Sequence, residues 1–590
     1  TMSPKVVASF KDADVRQFRW VNDKRLVFDL SPDLKGLGRV DFLPGLFAVN
    51  ADGDDFKGLV ETTPTFFKAP SMGQELLRWN TFLLGSLGKQ ANSEVVVVSP
   101  EEYGLRKDWG HNHLLRLNTM TGRAVEFDDV PPTSQDWLLD AQGELRAMVT
   151  VKDHKVTVSY REAGGAWQNI ADYDWLEGRV IWPAAITPDG RLLVSASSGQ
   201  DTQALYAWDF VNKRLADKPI ASAPGFDISA ELISNDKQLL GWRYTIDAEV
   251  TQWLDPAMKE LQALLDRSLK DTVNRISVGR RPETDFVLVE SWSDKQPSVY
   301  RVFDTKAKKL VRIGQMHPNI DAKRMGATDF VRFKARDGLE IPLWVTVPAG
   351  STGKNLPMVV LVHGGPFVRG AHWDWNSEVQ FLASRGYAVI QPEFRGSRGY
   401  GDKLYRAGWK QWGLAMQDDV ADATRWAIAQ GIADPKRIAI AGASYGGYAT
   451  LMGLVRDPDL YRCGINWVGV TDLNLLYEVD WSDFSDESLR YGLPQLVGDK
   501  VTDAEQFKAT SPIAQAARIT QPLLLAYGAW DQRVPLIHGE KFRDAVKAHN
   551  SKVEWVVYPE EAHGWAKPET RYDFWRKVET FLARNLAAAP

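Results

Sequence analysis

The chain has 590 residues, of which 44% are hydrophobic and 25% charged, with a net charge of −5 and one cysteine. That length exceeds what one core holds, so two large domains are expected. The interspersed charges offer no basic stripe for nucleic acid, and no apolar run reaches the length that spans a bilayer.

Cys463 on its own excludes an intrachain disulfide and a thiolate metal cluster. It lies in the apolar run Cys463-Gly464-Ile465-Asn466-Trp467-Val468, which reads as a buried strand. No signal peptide is visible at Thr1. The opening Thr1-Met2-Ser3-Pro4-Lys5 reads as the tail of a strand or turn begun upstream, so a trimmed start is expected. A soluble protein is expected, with a cytoplasmic or a periplasmic or secreted location left open.

From about residue 5 to about 325, short β-branched and alternating runs are broken by Asp-Gly, Pro-Asp-Gly and Asn-Asp turns. Val15–Val21, the turn Asn22-Asp23-Lys24 and Arg25–Asp29 form one hairpin; Ala185–Ser195 and Leu232–Gly241 are others. Equivalent units recur at about 45 residues, the period of four-stranded propeller blades, which favours a β-propeller of about six blades over a β-sandwich. Asp255–Leu265 carries a helical pattern and reads as an insertion. Gly110-His111-Asn112-His113 reads as a loop rather than a metal site, since no carboxylate–histidine set accompanies it.

After a hairpin, Phe330–Ala335 and Ile341–Val347, buried strands alternate with helical patterns, which predicts a mostly parallel sheet. The strands are Met358–His363, Tyr387–Gln391, Arg437–Ala441, Cys463–Val468, Pro522–Tyr527 and Val553–Tyr558. The helices lie around Trp375–Arg385, Gln417–Gln430, Tyr445–Arg456, His538–His549 and Thr570–Leu586. The division is therefore a β-propeller over residues 1–325 and an α/β-hydrolase fold over 326–590.

Gly442-Ala443-Ser444-Tyr445-Gly446 joins a strand to a helix, the context in which G-x-S-x-G is a nucleophile elbow and Ser444 the nucleophile. In the chain order of α/β-hydrolases the acid follows a later strand and the base follows the acid. Asp531 directly follows Pro522–Gly528; Asp472, after the preceding strand, is a second candidate whose alternative is capping a helix. His563, in the loop between the last strand and the last helix, is the base. His538 and His549 fall at the two ends of one amphipathic helix and read as surface or capping residues. The oxyanion donors are the backbone N–H of Tyr445 and that of Gly365 in His363-Gly364-Gly365-Pro366, with His363 structural. An apolar substrate pocket is expected from Trp467, Val468, Val470, Leu473, Leu476 and Tyr477, unless these are core. No metal or organic cofactor is called for.

With these residues in place, the chain resembles the prolyl oligopeptidase family of serine peptidases, its acylaminoacyl and dipeptidyl peptidase branches most of all. The motifs are His363-Gly364-Gly365-Pro366, Phe394-Arg395-Gly396-Ser397-Arg398-Gly399-Tyr400-Gly401, Gly442–Tyr448, Asp531-Gln532-Arg533-Val534-Pro535 and His563-Gly564. The resemblance implies that the propeller admits only short peptides, that Arg533 grips a substrate carbonyl, and that the full propeller has seven blades. Tyr527-Gly528 departs from the His-Gly that usually ends the strand before the acid. A carboxylesterase shares the elbow and triad but leaves the propeller and Arg533 unexplained. A silent propeller scaffold has no need of an intact triad. Bare edge strands and the family habit favour a homo-oligomer.

Overall fold

The computed structural model describes residues 5–11, 13–32, 45–62, 76–86, 93–100, 111–175, 180–235, 237–279, 284–479, 484–485 and 487–587. Gly110, Asp236 and the first four residues, used in the sequence reading, lie outside them.

Six sheets form the N-terminal half, each with its strands paired antiparallel in chain order. They run from Ala13–Asn22 to Lys57–Val60, Phe82–Ser86 to Ala124–Glu126, Ser134–Leu139 to Gln168–Asp174, Ile181–Ile186 to Arg214–Leu215, Glu231–Ser234 to Glu249–Trp253, and Val273–Ser277 to Lys309–Gln315. Among the described residues these sheets make six blades of a propeller. The predicted spacing is met closely from the second blade onward and is loosest between the first two. The fifth blade has three strands, and helix α1 (Pro256–Ser268) follows its third. Asp255 starts that helix by accepting the N–H of Met258, and Leu265 packs with Trp253 of the fifth blade and Ile276 of the sixth. Asn112 and His113 open a strand, Asn112–Asn118, where His113 meets Glu126 at 2.7 Å.

The second half is one eight-stranded sheet: β1 Ala327–Lys334, β2 Glu340–Val347, β3 Leu356–Val362, β4 Ala388–Pro392, β5 Ala433–Ala443, β6 Cys463–Trp467, β7 Leu523–Gly528 and β8 Val553–Tyr558. Their order is β1-β2-β4-β3-β5-β6-β7-β8, antiparallel as far as β4 and parallel from β4 to β8. The parallel strands are apolar runs because helices cover both faces. Helices α4 (Ala415–Ala429), α5 (Tyr445–Arg456) and α6 (Ile537–Lys547) cover one face, and α2 (Ser377–Ser384) and α7 (Pro568–Asn585) the other; α3 (Asp402–Ala407) follows β4. Val359, Val360, Ile440, Leu524 and Leu525 are fully buried, each contributing about 1.5–3 kcal/mol.

Short helices at Leu475–Glu478, Ala504–Thr510 and Pro512–Arg518, between β6 and β7, carry too few turns to show a period in the sequence. Packing holds them instead: Phe507 is fully buried, and Tyr448 of α5 donates its hydroxyl to Thr510 O at 2.8 Å.

The halves meet where the sheet's carboxyl ends face the blades. Asp227 donates its N–H to Gly399 O at 2.9 Å and accepts that of Gly401 on Oδ2 at 3.2 Å; Asp201 Oδ1 accepts the N–H of Lys403 at 2.7 Å. Trp373 N–H donates to Asp247 O at 3.1 Å, and Arg332 to Gly225 O at 2.7 Å. Phe226 lies against Phe330 and Tyr400. The seam is thus largely backbone and aromatic.

Candidate active site

Ser444 stands between β5 and α5 with φ +58° and ψ −121°, a conformation costly for any residue but glycine. The turn around it is closed by glycine. A Cβ on Gly446 would lie 2.0 Å from Val362 O, and one on Gly442 would lie 2.5 Å from the Gly446 carbonyl carbon. The Ser444 N–H donates to Trp467 O at 3.1 Å, tying the elbow to β6. Val468, just past β6, also has a positive φ (+48°), unusual for a β-branched residue. Both strained residues sit at the carboxyl end of the sheet.

Asp531 is the carboxylate that the structure joins to His563, the predicted base. Its carboxylate is buried; Oδ1 accepts the N–H groups of Arg533 (2.9 Å) and Val534 (2.8 Å), and Oδ2 lies 2.7 Å from His563 Nδ1. Nδ1–H facing the carboxylate leaves the lone pair of the neutral ring on Nε2. A Cβ on Gly528 would lie 2.2 Å from Ala562 O, so glycine lets the base loop press against the end of β7. Asp472 instead accepts the N–H of Asn474 at 3.0 Å, a local turn contact.

Gly365 has φ +114°, and a Cβ there would lie 2.8 Å from a Val368 methyl. Gly364 is close enough to Ser444 that a Cβ on it would lie 3.3 Å from that of Ser444. Tyr445 is the first residue of α5, where backbone N–H groups have no intrahelical acceptor. The His363 ring stacks on Phe394 with centroids 4.4 Å apart, and its Nε2 lies 3.1 Å from Ser397 Oγ.

The apolar residues at and after the end of β6 divide between the two faces of the sheet. Trp467 is buried against Phe574 and Trp575 of α7, on the face opposite α5. Val470, Leu473 and Leu476 are buried on the α5 face, and Tyr477 packs beside them and donates its hydroxyl to Gly498 O. Arg533 projects its guanidinium to 5.7 Å from the Phe484 ring centre.

His538 corrects the sequence reading. It is fully buried, with Nδ1 accepting the N–H of Thr471 at 3.3 Å, and Thr471 donates its hydroxyl to His538 O at 2.8 Å. The helix lies with its first turn against the loop after β6, so its N-terminal histidine points inward. Burial pushes the imidazole down to about 3.

Three further carboxylates brace the site, and single-sequence reading did not find them. Glu561, 2% exposed, accepts the N–H groups of Ala566 (2.8 Å) and Lys567 (3.0 Å), fixing the loop that carries His563. Glu393, 1% exposed, accepts those of Gly370 (2.9 Å) and Ala371 (2.7 Å) and so pins the loop after Gly365. Asp419, fully buried, takes two guanidinium N–H groups and the backbone N–H of Arg395, all at 2.8 Å. The adjacent pair Glu560-Glu561 and the Phe394-Arg395-Gly396 motif are their only marks in the sequence.

A family model described as "Prolyl oligopeptidase family" matches residues 373–589. Dipeptidyl aminopeptidase BIII of Pseudoxanthomonas mexicana is 31% identical over 521 residues, covering 84% of this chain and 74% of that protein. The acylamino-acid-releasing enzyme of Arabidopsis thaliana is 30% identical over 242 residues, 39% of this chain and 30% of that one. In fold, the chain is similar to a puromycin hydrolase (TM-score 0.71, 20% identity, 96% of this chain and 85% of that one). It is also similar to Pyrococcus horikoshii acylaminoacyl peptidase (TM-score 0.65, 17% identity, 98% and 90%).

Proposed function

The chain belongs to the prolyl oligopeptidase family of serine-type peptidases, and from that premise we propose that it hydrolyses short peptides through an acyl-enzyme on Ser444. The observation that carries this reading is the buried Asp531 carboxylate 2.7 Å from His563 Nδ1, beside a nucleophile elbow at the same end of the sheet. Asp531 holds His563 in the tautomer whose Nε2 takes the Ser444 proton, and stabilises the imidazolium. Ser444 Oγ attacks the scissile carbonyl. The N–H groups of Tyr445 and Gly365 receive the developing oxyanion, with the N-terminus of α5 adding favourable field. His563 then protonates the leaving amine, and water releases the acyl group by the same steps in reverse roles.

Residues 1–325 act as the gate in this reading and residues 326–590 as the catalytic unit. Val470 and Tyr477 belong to the S1 wall, Arg533 grips a substrate carbonyl, and Trp467 supports the elbow through its backbone carbonyl. The dipeptidyl aminopeptidase relative, which covers most of this chain, supports release of dipeptides from a free N-terminus; the acylamino-acid-releasing relatives match less than half of the chain and support removal of a blocked residue.

A panel decides: free dipeptidyl, N-acetyl-aminoacyl and internally quenched peptide substrates with a simple aryl ester, each against wild type and Ser444→Ala. Turnover of a peptide class that falls by about 10³-fold or more in the variant is expected. Ester cleavage with no peptide turned over would overturn the peptidase reading.

A further inference from the structure

Between the blades and the catalytic sheet lies a cavity of about 550 Å³ whose lining includes Arg369, Arg398, Arg406, Asp201, Asp227 and Asp402. Three guanidiniums face three carboxylates, yet they are not paired evenly. Asp402 is bound by Arg406 Nε at 2.5 Å. Asp201 Oδ1 accepts the N–H of Lys403, while Asp227 accepts those of Gln203 and Gly401 on its two oxygens.

Arg369 and Arg398 meet no carboxylate among the described residues. Arg398 donates to Tyr405 Oη at 2.6 Å and lies over that ring, 4.2 Å from its centre. Arg369 donates to the carbonyls of Ile246 and Ala371 and stands 4.9 Å from the Tyr400 ring centre. The two are held side by side: Arg398 N–H donates to Val368 O at 3.1 Å, and a Cβ on Gly399 would touch Arg369 Cδ at 3.1 Å. Both guanidiniums are thus fixed by rings and carbonyls while keeping N–H groups to donate.

Their place relative to the nucleophile follows from the sheet. Arg369 is on the loop after β3 and Arg398 on the loop after β4, both at the carboxyl end where Ser444 stands. Strand β3 neighbours β5, which ends at Ser444, and β4 is one strand further out. At about 4.8 Å per strand, the strand ends from which these two loops leave lie about 5 and 10 Å from the end of β5.

We propose that Arg369 and Arg398 form a carboxylate-binding subsite, which takes the C-terminal carboxylate of a short peptide whose scissile bond lies on Ser444. A guanidinium fork matches a carboxylate with paired charge-assisted hydrogen bonds, which a backbone amide or a carboxamide cannot supply. The subsite makes the enzyme a reader of peptide length as well as of sequence. It rests on the peptidase reading above.

The test compares the best peptide of the panel as free acid and as C-terminal amide, with one, two or three residues after the scissile bond. A second arm keeps the amide and exchanges Asn or Gln for Asp or Glu, which separates a terminal carboxylate from a side-chain one. Wild type is expected to favour the acid by about tenfold or more in kcat/KM at the best length, corresponding to about 1.4 kcal/mol. In Arg398→Gln and Arg369→Gln the acid-to-amide ratio falls toward one; Arg398→Lys lies between, and Arg406→Gln keeps the wild-type ratio.

A preference seen only for Asp or Glu over its amide would overturn the terminal assignment. An acid-to-amide ratio near one in wild type, or one unchanged in both Gln variants, would overturn the subsite. Calorimetry of the acid and the amide on Ser444→Ala reads the subsite without turnover: tighter binding of the acid supports it, and equal affinities refute it. Failure of every substrate with this binding difference intact would count against the peptidase reading alone.

Discussion

At the start of α6, His538 carries both packing and pH dependence. Its imidazole is fully buried, Nδ1 accepts the Thr471 N–H, and Nε2 has no hydrogen-bond partner among the described residues. Burial holds the folded-state value at about 3, against about 6.5 when unfolded. Between those values the unfolded chain binds a proton that the folded chain refuses, so stability falls as pH drops below about 6.5. The slope from this group reaches about 1.4 kcal/mol per pH unit. His538→Asn keeps an acceptor for Thr471 but removes the titration. Denaturant unfolding at a series of pH values between 7 and 4.5 is expected to show a shallower acid loss in the variant; an identical slope would refute this. The inward histidine was not legible in the sequence, because a helix end looks solvent-facing until its neighbour across the sheet is known. Cys463 was legible, since an unbroken apolar strand leaves little else; burial pushes its thiol up to about 12.

At the scale of elements, glycine and aspartate set the catalytic loops. Strands β3 to β8 and helices α2, α4, α5, α6 and α7 fall within a few residues of their predicted places, because buried parallel strands and amphipathic helices each have a strong period. The strand–turn–helix around Ser444, with Gly442 and Gly446, was legible from its motif, and the Asp531–His563 contact from the order in which strands and loops follow one another. The bracing carboxylates were not: the partners of Glu393 and Asp419 lie more than twenty residues away in the chain, and those of Glu561 are backbone N–H groups of an irregular loop that no periodicity marks.

Asp419 is the sharpest case: it is fully buried and holds Arg395, whose side chain is 9% exposed and also meets Asp337 at 2.9 Å. Removing one partner of a buried pair leaves a charge uncompensated, at a cost of about 3–5 kcal/mol. Asp419→Ala is therefore expected to lower the unfolding free energy by about 3 kcal/mol, the lower figure because Asp337 remains. A loss below about 1 kcal/mol in denaturant titration would show that the pair is not what holds the loop after β4. Gly446→Ala tests the elbow itself: with Val362 O in the way, catalytic turnover is expected to be lost even where the chain still folds.

For the whole molecule, the blades lie against the carboxyl end of the sheet, through contacts made by residues 201, 225–227 and 247. In the proposed reading a substrate passes the propeller or the seam to reach Ser444, which would select size before sequence. Across a series from four to about forty residues with one cleavable bond, kcat/KM is expected to fall steeply with length, and an unfolded protein such as casein to resist digestion. Length-independent cleavage would refute gating. Loosening the seam by Asp227→Ala, which removes the carboxylate that holds the Gly401 N–H, is expected to soften the length dependence.

The central claim is that Ser444 forms an acyl-enzyme with His563 as its base, and covalent trapping tests it most directly. Wild-type protein is treated with a fluorophosphonate and its intact mass and digested peptides are measured, alongside Ser444→Ala and His563→Ala. One adduct per chain on Ser444 is expected, none in Ser444→Ala, and labelling slowed by about 10³-fold or more in His563→Ala. An adduct on another residue, or peptide turnover that persists in Ser444→Ala, would contradict it.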